Sequence, residues 1–340
     1  STLRPNGYDT NLQWEETASL NVGIDYGLWE GRVSGSLEYY RKDTRDLLFE
    51  KAVPSGSNLT NIILTNIGAV QNTGVELVIN AVAIDKNDLN WNLSFNASAN
   101  KNEIISLDGS DDPSFKGYET GGIGGGVGNN IAILKVGHAV NTFYVYKHKT
   151  GPNGKPLPDQ DNNDNGTVEL SDMYEDINGD GQVNDRDRRP FKQPSPRVLM
   201  GLTSSLTYKK IDFNFTLRAN LGNYVYNNIA SNGTNYSRAD GAFAPLNMLT
   251  SVLETEFTNP QYFSDYYIEN ASFLRMDNMT LGYTHRTSNN NFSFRFYTTA
   301  QNLFVVTGYS GLDPEVGSSG IDNNTYPRSR TFIVGVNVGF

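Results

Sequence analysis

The last ten residues constrain the fold of this chain more than any other segment. They read TFIVGVNVGF, residues 331–340, with apolar side chains at Phe332, Val334, Val336, Val338 and Phe340. Because side chains alternate between the two faces of a β-strand, this segment has one continuous apolar face. The other face is small or polar except at Ile333. The pattern is typical of the strand that closes a transmembrane β-barrel, with one face in lipid and one toward the lumen.

The same alternation recurs along the whole chain. Residues 91–99, WNLSFNASA, place aromatic and aliphatic side chains on one face and Asn or Ser on the other. No stretch has a convincing helical period. About ten strands are predicted. They cover residues 20–28, 33–39, 75–81, 91–99, 138–148, 198–206, 211–219, 271–284, 292–298 and 331–340.

The connections between these segments alternate between short and long. Residues 85–88 and 209–210 are tight turns, whereas 51–73, 108–130, 150–196 and 222–266 are long. Transmembrane barrels have short periplasmic turns and long extracellular loops. We therefore expect an all-β fold, an antiparallel transmembrane barrel with long extracellular loops. Since wide plugged barrels have about 22 strands, about ten would be roughly the C-terminal half of one.

Composition is compatible with such a barrel. A hydrophobic content of 37% and a mean hydropathy of −0.47 look water-soluble, but a barrel strand needs an apolar residue only at alternate positions. The opening STLRPNGYDT lacks the basic start and apolar core of a signal peptide, so we expect that a leader was removed or that the natural N-terminus lies upstream. Cysteine is absent, which excludes disulfides and thiolate chemistry.

The negative charge is concentrated in one segment. The formal net charge is −10, and residues 159–187 hold ten acidic residues against one base, Arg186. This segment lies inside a long insertion, residues 150–196, that we expect to be extracellular. A concentrated acidic block favours cations as ligands and argues against nucleic acid as a partner.

Part of this block has the spacing of a calcium-binding loop. Gly181 stands at position 6, where the loop turns sharply, and Val183 is expected to anchor it. Asp187 stands at position 12, where Glu is usual, so its reach is shorter. The alternative is a solvated acidic loop tip. The predicted calcium ligands are Asp176, Asn178, Asp180, Gln182, Asn184 and Asp187.

A second segment just upstream repeats the spacing with fewer charges, and Gly166 again stands at position 6. Neither loop is flanked by long amphipathic helices, so we expect Ca²⁺ to rigidify an extracellular loop rather than to act as a signal. The predicted ligands of the second loop are Asp161, Asn163, Asn165, Thr167, Glu169 and Asp172.

The remaining polar and aromatic residues point to no enzyme. His138, His148 and His285 are scattered, and no catalytic Ser-His-Asp or carboxylate pair stands in a recognisable motif. Two further groups have a structural explanation, as girdle packing or wall salt bridges, besides a role in binding solutes. These groups are Tyr224, Tyr226, Tyr262, Tyr266 and Tyr267 in loops, and Arg218, Arg275 and Arg295 facing the lumen.

Several consecutive motifs then carry a family resemblance over residues 11–340. They include NIGAVQNTGVEL (66–77), LRANLGNYVYNN (217–228), ENASFLRMDNMTLGYT (269–284), AQNLFVVTGYSGLDPEV (300–316) and YPRSRTF (326–332). The chain resembles the C-terminal barrel region of SusC/RagA-like TonB-dependent outer-membrane transporters. In this family Asp313-Pro314-Glu315 is a loop signature, not a catalytic pair.

The resemblance implies one barrel region over residues 1–340 that imports a bulky nutrient, such as an oligosaccharide or a peptide. It implies a SusD-like surface lipoprotein, the TonB complex acting through a plug region absent from this chain, the N-terminal barrel half and the lipid bilayer as partners. Whether that half belongs to a separate chain stays open, and so does the substrate. The alternatives are a structural or assembly-partner barrel without transport and a secreted, calcium-stabilised adhesion module.

Overall fold

The computed structural model describes residues 6–108, 115–126, 128–240, 244–287 and 292–340. Nineteen strands lie in this part of the chain. They are β1 (Glu16–Leu28), β2 (Val33–Arg45), β3 (Leu48–Ala52), β4 (Ile62–Asn66), β5 (Gly68–Lys86), β6 (Leu89–Leu107), β7 (Tyr118–Gly122), β8 (Asn130–Leu134), β9 (Thr142–Val145), β10 (Arg189–Phe191), β11 (Val198–Tyr208), β12 (Ile211–Leu221), β13 (Tyr224–Asn227), β14 (Ile268–Asn270), β15 (Phe273–Arg286), β16 (Ser293–Gln301), β17 (Val305–Thr307), β18 (Ile321–Asp322) and β19 (Thr331–Gly339).

Helices are short and lie between the long strands. The α-helices are α1 (Leu170–Met173), α2 (Asn228–Gly233) and α3 (Val252–Thr255), and 3₁₀ turns cover Asp185–Asp187, Tyr236–Arg238 and Asp265–Tyr267. Within the described ranges, no helix has the length and apolar character needed to cross a membrane.

One antiparallel sheet forms a wall with the strand order β1-β2-β5-β6-β11-β12-β15-β16-β19. The short strand β17, which was not predicted, pairs with β15 and makes this a ten-stranded sheet. The other nine strands correspond to nine of the ten predicted segments. Every neighbour in the path is antiparallel, as in the register Phe296↔Val336 of β16 and β19. In the described part of the chain, β1 and β19 each pair with one strand only, so the wall has two edges.

The two faces of the wall differ as the alternation predicts. The predicted closing-strand residues are highly exposed: Phe332 at 69%, Val334 at 83%, Val336 at 51%, Val338 at 53% and Phe340 at 99%. The strand itself ends at Gly339, one residue before the predicted end. This exposed apolar face is what a lipid-facing wall requires.

The other face carries polar side chains that bond across strands. Thr17 and Thr44 hydroxyls lie 2.9 Å apart, and those of Thr280 and Thr299 lie 2.8 Å apart. Such cross-strand pairs stabilise a sheet on its lumenal side. The alternation is therefore apolar toward lipid and polar toward the lumen.

The long connections contain ordered structure of their own, all at the end opposite the tight turns. β7 to β10 form a four-stranded sheet, β13, β14 and β18 form a three-stranded sheet, and β3 pairs with β4. Residues 138–148, predicted as a wall strand, instead contribute β9 to the four-stranded sheet, so this prediction was wrong. The reason is burial on both faces, since Phe143 and Val145 are 0% exposed and Tyr144 and Tyr146 are 5% exposed.

Candidate functional site

The first predicted metal loop, residues 176–187, folds into a tight turn around its own carboxylates. Asp176 accepts backbone hydrogen bonds from Gly179 at 2.7 Å and Gly181 at 2.8 Å. Gly181 has φ +84°, a left-handed conformation that glycine adopts without strain. The carboxamide of Asn178 and the carboxylate of Asp180 each accept from the backbone N–H two residues on, at 2.8 Å and 2.9 Å. The oxygen-bearing side chains thus order the loop backbone.

Asp187 closes this loop from the inside. It is 0% exposed and accepts from the backbone N–H groups of Ile177 at 2.9 Å, Asn178 at 3.2 Å and Asn184 at 2.8 Å. Burial alone would raise the pKa of Asp187, but these N–H donors outweigh it and hold the pKa below its usual range. The carboxylate is therefore ionised at neutral pH.

The second predicted loop, residues 161–172, repeats the same hydrogen-bond pattern. Asp161 accepts from Asn165 at 3.0 Å and Gly166 at 2.7 Å, and Gly166 has φ +87°. Asp172, only 2% exposed, accepts from the backbone of Asn162 at 3.1 Å and Glu169 at 2.9 Å. In each loop, the carboxylate at position 1 accepts a hydrogen bond from the backbone N–H of the glycine at position 6. The buried carboxylate at position 12 accepts from the backbone N–H groups at positions 2 and 9.

The donor set of both loops fits a hard cation, because Ca²⁺ prefers carboxylate, carboxamide and carbonyl oxygens. In the described residues, no three His, Cys, Asp or Glu side chains are grouped closely enough to hold a metal by themselves. Any ion would therefore depend on Asn178, Asn184, Asn163 and Asn165 side chains, the Thr167 hydroxyl and the backbone oxygen of Gln182. Metal binding at both loops stays a prediction.

The first loop is fixed to a small hydrophobic core. Tyr146, Met173 and Tyr174 form this core, and Val183 packs against it from the loop, as predicted for the anchor residue. The Tyr146 hydroxyl donates to Asp185 at 3.0 Å. Val168, the corresponding residue of the second loop, is 58% exposed. The packed anchor residue that the sequence predicts is therefore present in the first loop, whereas its counterpart in the second loop is exposed.

The structure also contains a lumenal ion cluster that no motif predicted. We give this name to Arg218, Arg275, Asp277, Asp313, Glu315 and Arg328. It joins the lumenal face of β12 and β15 to residues 308–330, the loop before the last strand.

The centre of the lumenal ion cluster is deeply buried. The side chains of Arg275 and Asp313 are 4% and 5% exposed and their charged atoms lie 2.7 Å apart. Arg275 Nε lies 3.1 Å from Glu315 but has no aligned hydrogen bond, so that contact is ionic only. Arg218 contacts Asp277 at 3.1 Å and Glu315 at 2.6 Å, and Arg328 also pairs with Glu315. Three positive and three negative groups therefore compensate one another.

The other candidate residues also have structural partners. Arg295 pairs with Asp212 at 2.6 Å, so the salt-bridge explanation of the lumenal arginines is confirmed. Tyr226 and Tyr267 are 0% and 2% exposed, and only Tyr266 among these three is substantially exposed, at 38%. His148 is buried between Ser264 and the Leu157 carbonyl, each at 2.8 Å from a ring nitrogen.

Comparisons with known proteins agree with this architecture. Residues 1–132 match the family model described as TonB dependent receptor-like, beta-barrel. The chain is 41% identical over its whole length to the TonB-dependent receptor SusC of Bacteroides thetaiotaomicron, covering 33% of that protein. It is 31% identical to the TonB-dependent receptor P3 of Formosa agariphila, with 97% of this chain and 34% of the relative covered.

A solved structure, that of the RagAB peptide transporter, superposes with a TM-score of 0.73 at 25% identity. The match covers 95% of this chain and 35% of that one. The chain spans about a third of the length of the curated relatives it matches. The chain is thus the C-terminal barrel region of a SusC/RagA-like TonB-dependent receptor, integral to the outer membrane.

Proposed function

We propose that this chain forms part of the wall and the extracellular loops of a barrel that imports a bulky nutrient, such as an oligosaccharide or a peptide. The 41% identity to SusC over the whole chain carries the proposal. The polar lumenal face and the elaborate extracellular sheets support it, because a solute passage needs both. We assign no catalytic role to any residue.

We propose three kinds of protein partner. A SusD-like surface lipoprotein would cover the extracellular sheets, and the TonB complex would act through a plug region of the whole receptor. Further barrel strands would pair with the free edges of β1 and β19, since unpaired edge strands leave backbone N–H and C=O groups open for pairing.

Import is tested by uptake in a strain that lacks the gene for the intact receptor. We expect radiolabelled oligosaccharide or peptide uptake to be lost on deletion, to return with the wild-type gene and to fail again without TonB. Growth and uptake that are unchanged on every glycan and peptide offered would contradict import. That result would favour a structural or assembly-partner barrel instead.

We further propose that Ca²⁺ occupies the loop 176–187, and with fewer charged ligands the loop 161–172, and protects the insertion 150–196. The double variant Asp176→Ala with Asp187→Ala is expected to abolish calcium-dependent protection from protease. Asp187 also holds three backbone N–H groups, whereas among the described residues Asp180 accepts only from Gln182. Asp180→Asn is therefore the sharper variant.

Asp164→Asn is the matched control for the calcium test, because Asp164 is exposed and stands at a non-ligand position of the second loop. We expect this variant to keep calcium-dependent protection. Equal cleavage of the wild-type receptor in calcium and in chelator would rule out the ion.

A further inference from the structure

A cavity of about 520 Å³ lies at the extracellular end of the wall, beside the part of β6 that extends past β11. β11 pairs with β6 as far as Ala99, and β6 then continues beyond it. The Asn100 N–H donates to the Arg197 carbonyl at 3.2 Å, and the Ile104 N–H donates to the His138 carbonyl at 2.8 Å. The cavity lies along β6 between these two contacts.

Basic side chains from three separate segments line this cavity. Lys101 belongs to β6, Lys192 follows β10, and Arg197 precedes β11. Among the described lining residues Glu103 is the one carboxylate, and it pairs with Lys101. His138 also lines the cavity, but burial lowers its pKa, so it is uncharged at neutral pH. The lining therefore has an excess of positive charge in a chain whose formal net charge is −10.

Two of these cations have no carboxylate partner in the described part of the chain. Neither Lys192 nor Arg197 belongs to an ion pair there, and both are exposed, so a ligand can reach them. The Lys192 ammonium lies 4.7 Å from the centre of the Tyr224 ring and 5.4 Å from that of Phe191. Arg197 packs against Gly222, where a Cβ would lie 3.3 Å from its Cβ and Cγ. Packing therefore positions both residues at the cavity, and an aromatic ring attracts a cation without neutralising its charge.

The charge of the lining selects among classes of ligand. A cationic group would be repelled, and an apolar group would remove water from charges that have no other partner. Arg and Lys are the side chains that bind phosphate oxygens, Arg through its planar fork and Lys as a point charge. A concave site lined by one sign of charge also concentrates ligands of the opposite sign. The arrangement therefore favours an oxyanion.

The cavity lies at the level where the lipid-facing alternation of β6 ends. Ala99 and Val198 pair on the lipid face, and Lys101 is two residues beyond Ala99 on the same face of β6. The Lys101 side chain is 72% exposed. Basic pockets just outside the apolar band of a membrane protein can reach the phosphates of lipid headgroups. The outer leaflet is therefore one source of an oxyanion at this level.

We propose that this cavity binds a phosphate group, carried by a lipid headgroup of the outer leaflet or by a phosphorylated solute. Lys192 and Arg197 would donate charged hydrogen bonds to the phosphate oxygens, and Lys101 would add positive charge at the edge of the cavity. The proposal goes beyond the proposed import function and does not depend on it, because binding is measured without transport.

The test uses the intact receptor, purified in detergent, and two pairs of probes. Isothermal titration compares glucose 6-phosphate with glucose, and native mass spectrometry compares diphosphorylated lipid A with its dephosphorylated form. We expect at least one phosphorylated probe to bind more than roughly tenfold tighter than its neutral counterpart, since charged hydrogen bonds are the strong ones. We also expect its binding to weaken at high salt. The pair that shows the difference identifies the source of the phosphate.

Charge variants locate the site. Lys192→Gln with Arg197→Gln is expected to weaken binding of the phosphorylated probe roughly tenfold or more. Glu103→Gln removes the lining carboxylate and is expected to tighten binding roughly threefold, a gain that unfolding cannot produce. The matched control is Lys209→Gln, at a tight turn outside the lining. Lys209 shares with Lys192 a left-handed backbone, φ +55° against +57°, and its ammonium also lies near a tyrosine ring, at 5.4 Å.

Three results would overturn the proposal. They are equal binding within both pairs of probes, unchanged binding in the double variant, and weaker binding in Glu103→Gln. Heat-modifiable gel migration of each variant checks that the barrel has folded, and Glu103→Gln tests the charge argument even where the double variant does not fold.

Discussion

Neutralising Asp313 should release the loop before the last strand. Asp313→Asn keeps the side-chain volume but removes the charged partner at 2.7 Å from the Arg275 guanidinium, which is 4% exposed and then keeps only its 3.1 Å ionic contact with Glu315. Removing one member of a buried ion pair costs about 3–5 kcal/mol, because the other charge stays desolvated. A cost of about 3 kcal/mol corresponds to a roughly hundredfold larger open population of residues 308–330.

Hydrogen exchange with mass spectrometry of the intact receptor measures this opening directly. Amides of residues 308–330 should exchange roughly a hundredfold faster in Asp313→Asn. The control is Asp43→Asn, because Asp43 and its partner Arg41 have side chains 34% and 50% exposed. An exposed pair contributes about 1 kcal/mol or less, so exchange near Asp43 should change by less than about fivefold.

A third variant separates charge from packing. Replacing both partners, Arg275→Met with Asp313→Leu, removes the uncompensated charge, so exchange should be slower than in Asp313→Asn. Similar exchange in Asp313→Asn and wild type would refute the reasoning. Equal acceleration in Asp313→Asn and the double variant would show that lost contacts, not a buried charge, dominate.

Three further outcomes are expected. Leu202→Arg, on the lipid face near the middle of β11, should destabilise the barrel in liposomes by about 2–4 kcal/mol, and lumenal Thr203→Arg by much less, as measured by urea unfolding. Gly35→Ala should prevent β2 from pairing with β5, because the new Cβ would lie 1.8 Å from the backbone oxygen of Val78. The control is Gly27→Ala, whose Cβ meets nothing within 4 Å, and heat-modifiable gel migration should distinguish the two variants. Burial lowers the pKa of His148 below its usual value of 6.5. As the pH falls below 6.5 the unfolded chain therefore binds more protons than the folded chain, and the stability of the extracellular sheets falls. Thermal unfolding from about pH 7.5 to 5 should show this loss, and His148→Phe should abolish it.

The wall could be predicted from sequence because each of its strands carries its own signal. Lipid on one face and polar lumen on the other impose a period of two on every wall strand, as in residues 91–99 within β6. The positions of the strand ends could be predicted less well from the sequence. β5 and β6 run for 19 residues each, beyond the apolar stretch, where no lipid imposes the alternation.

The structure of the long connections could not be predicted in this way. Their order comes from a shared core in which Phe143, Tyr226, Phe257 and Ile321 pack together although they are far apart in the chain. Residues 138–148 show the consequence, because an apolar run buried on both sides resembles a wall strand in sequence. Only the partners in space distinguish the two.

The site residues show the same contrast between groups that are close in sequence and groups that only the fold brings together. The two acidic loops were recognised because all their predicted ligands lie within twelve positions, and their backbone hydrogen bonds follow that spacing. The lumenal ion cluster was not recognised, because Arg218 and Glu315 are 97 residues apart and Arg275 and Asp313 are 38 apart. Its parts were visible only separately, as lumen-facing arginines and as the acidic pair of the loop signature.

The acidic block 159–187 also shows why charge alone is a weak argument for a metal. Asp159 accepts from the backbone of Thr258 at 2.5 Å and Asn259 at 2.7 Å, so it joins two distant segments. Glu175 pairs with Lys147 at 2.7 Å, and Asp187 holds three backbone N–H groups. These carboxylates therefore connect parts of the insertion through protein partners. A bound Ca²⁺ would therefore strengthen a loop that its own hydrogen bonds already shape, and calcium should change the loop's resistance to protease more than its backbone conformation.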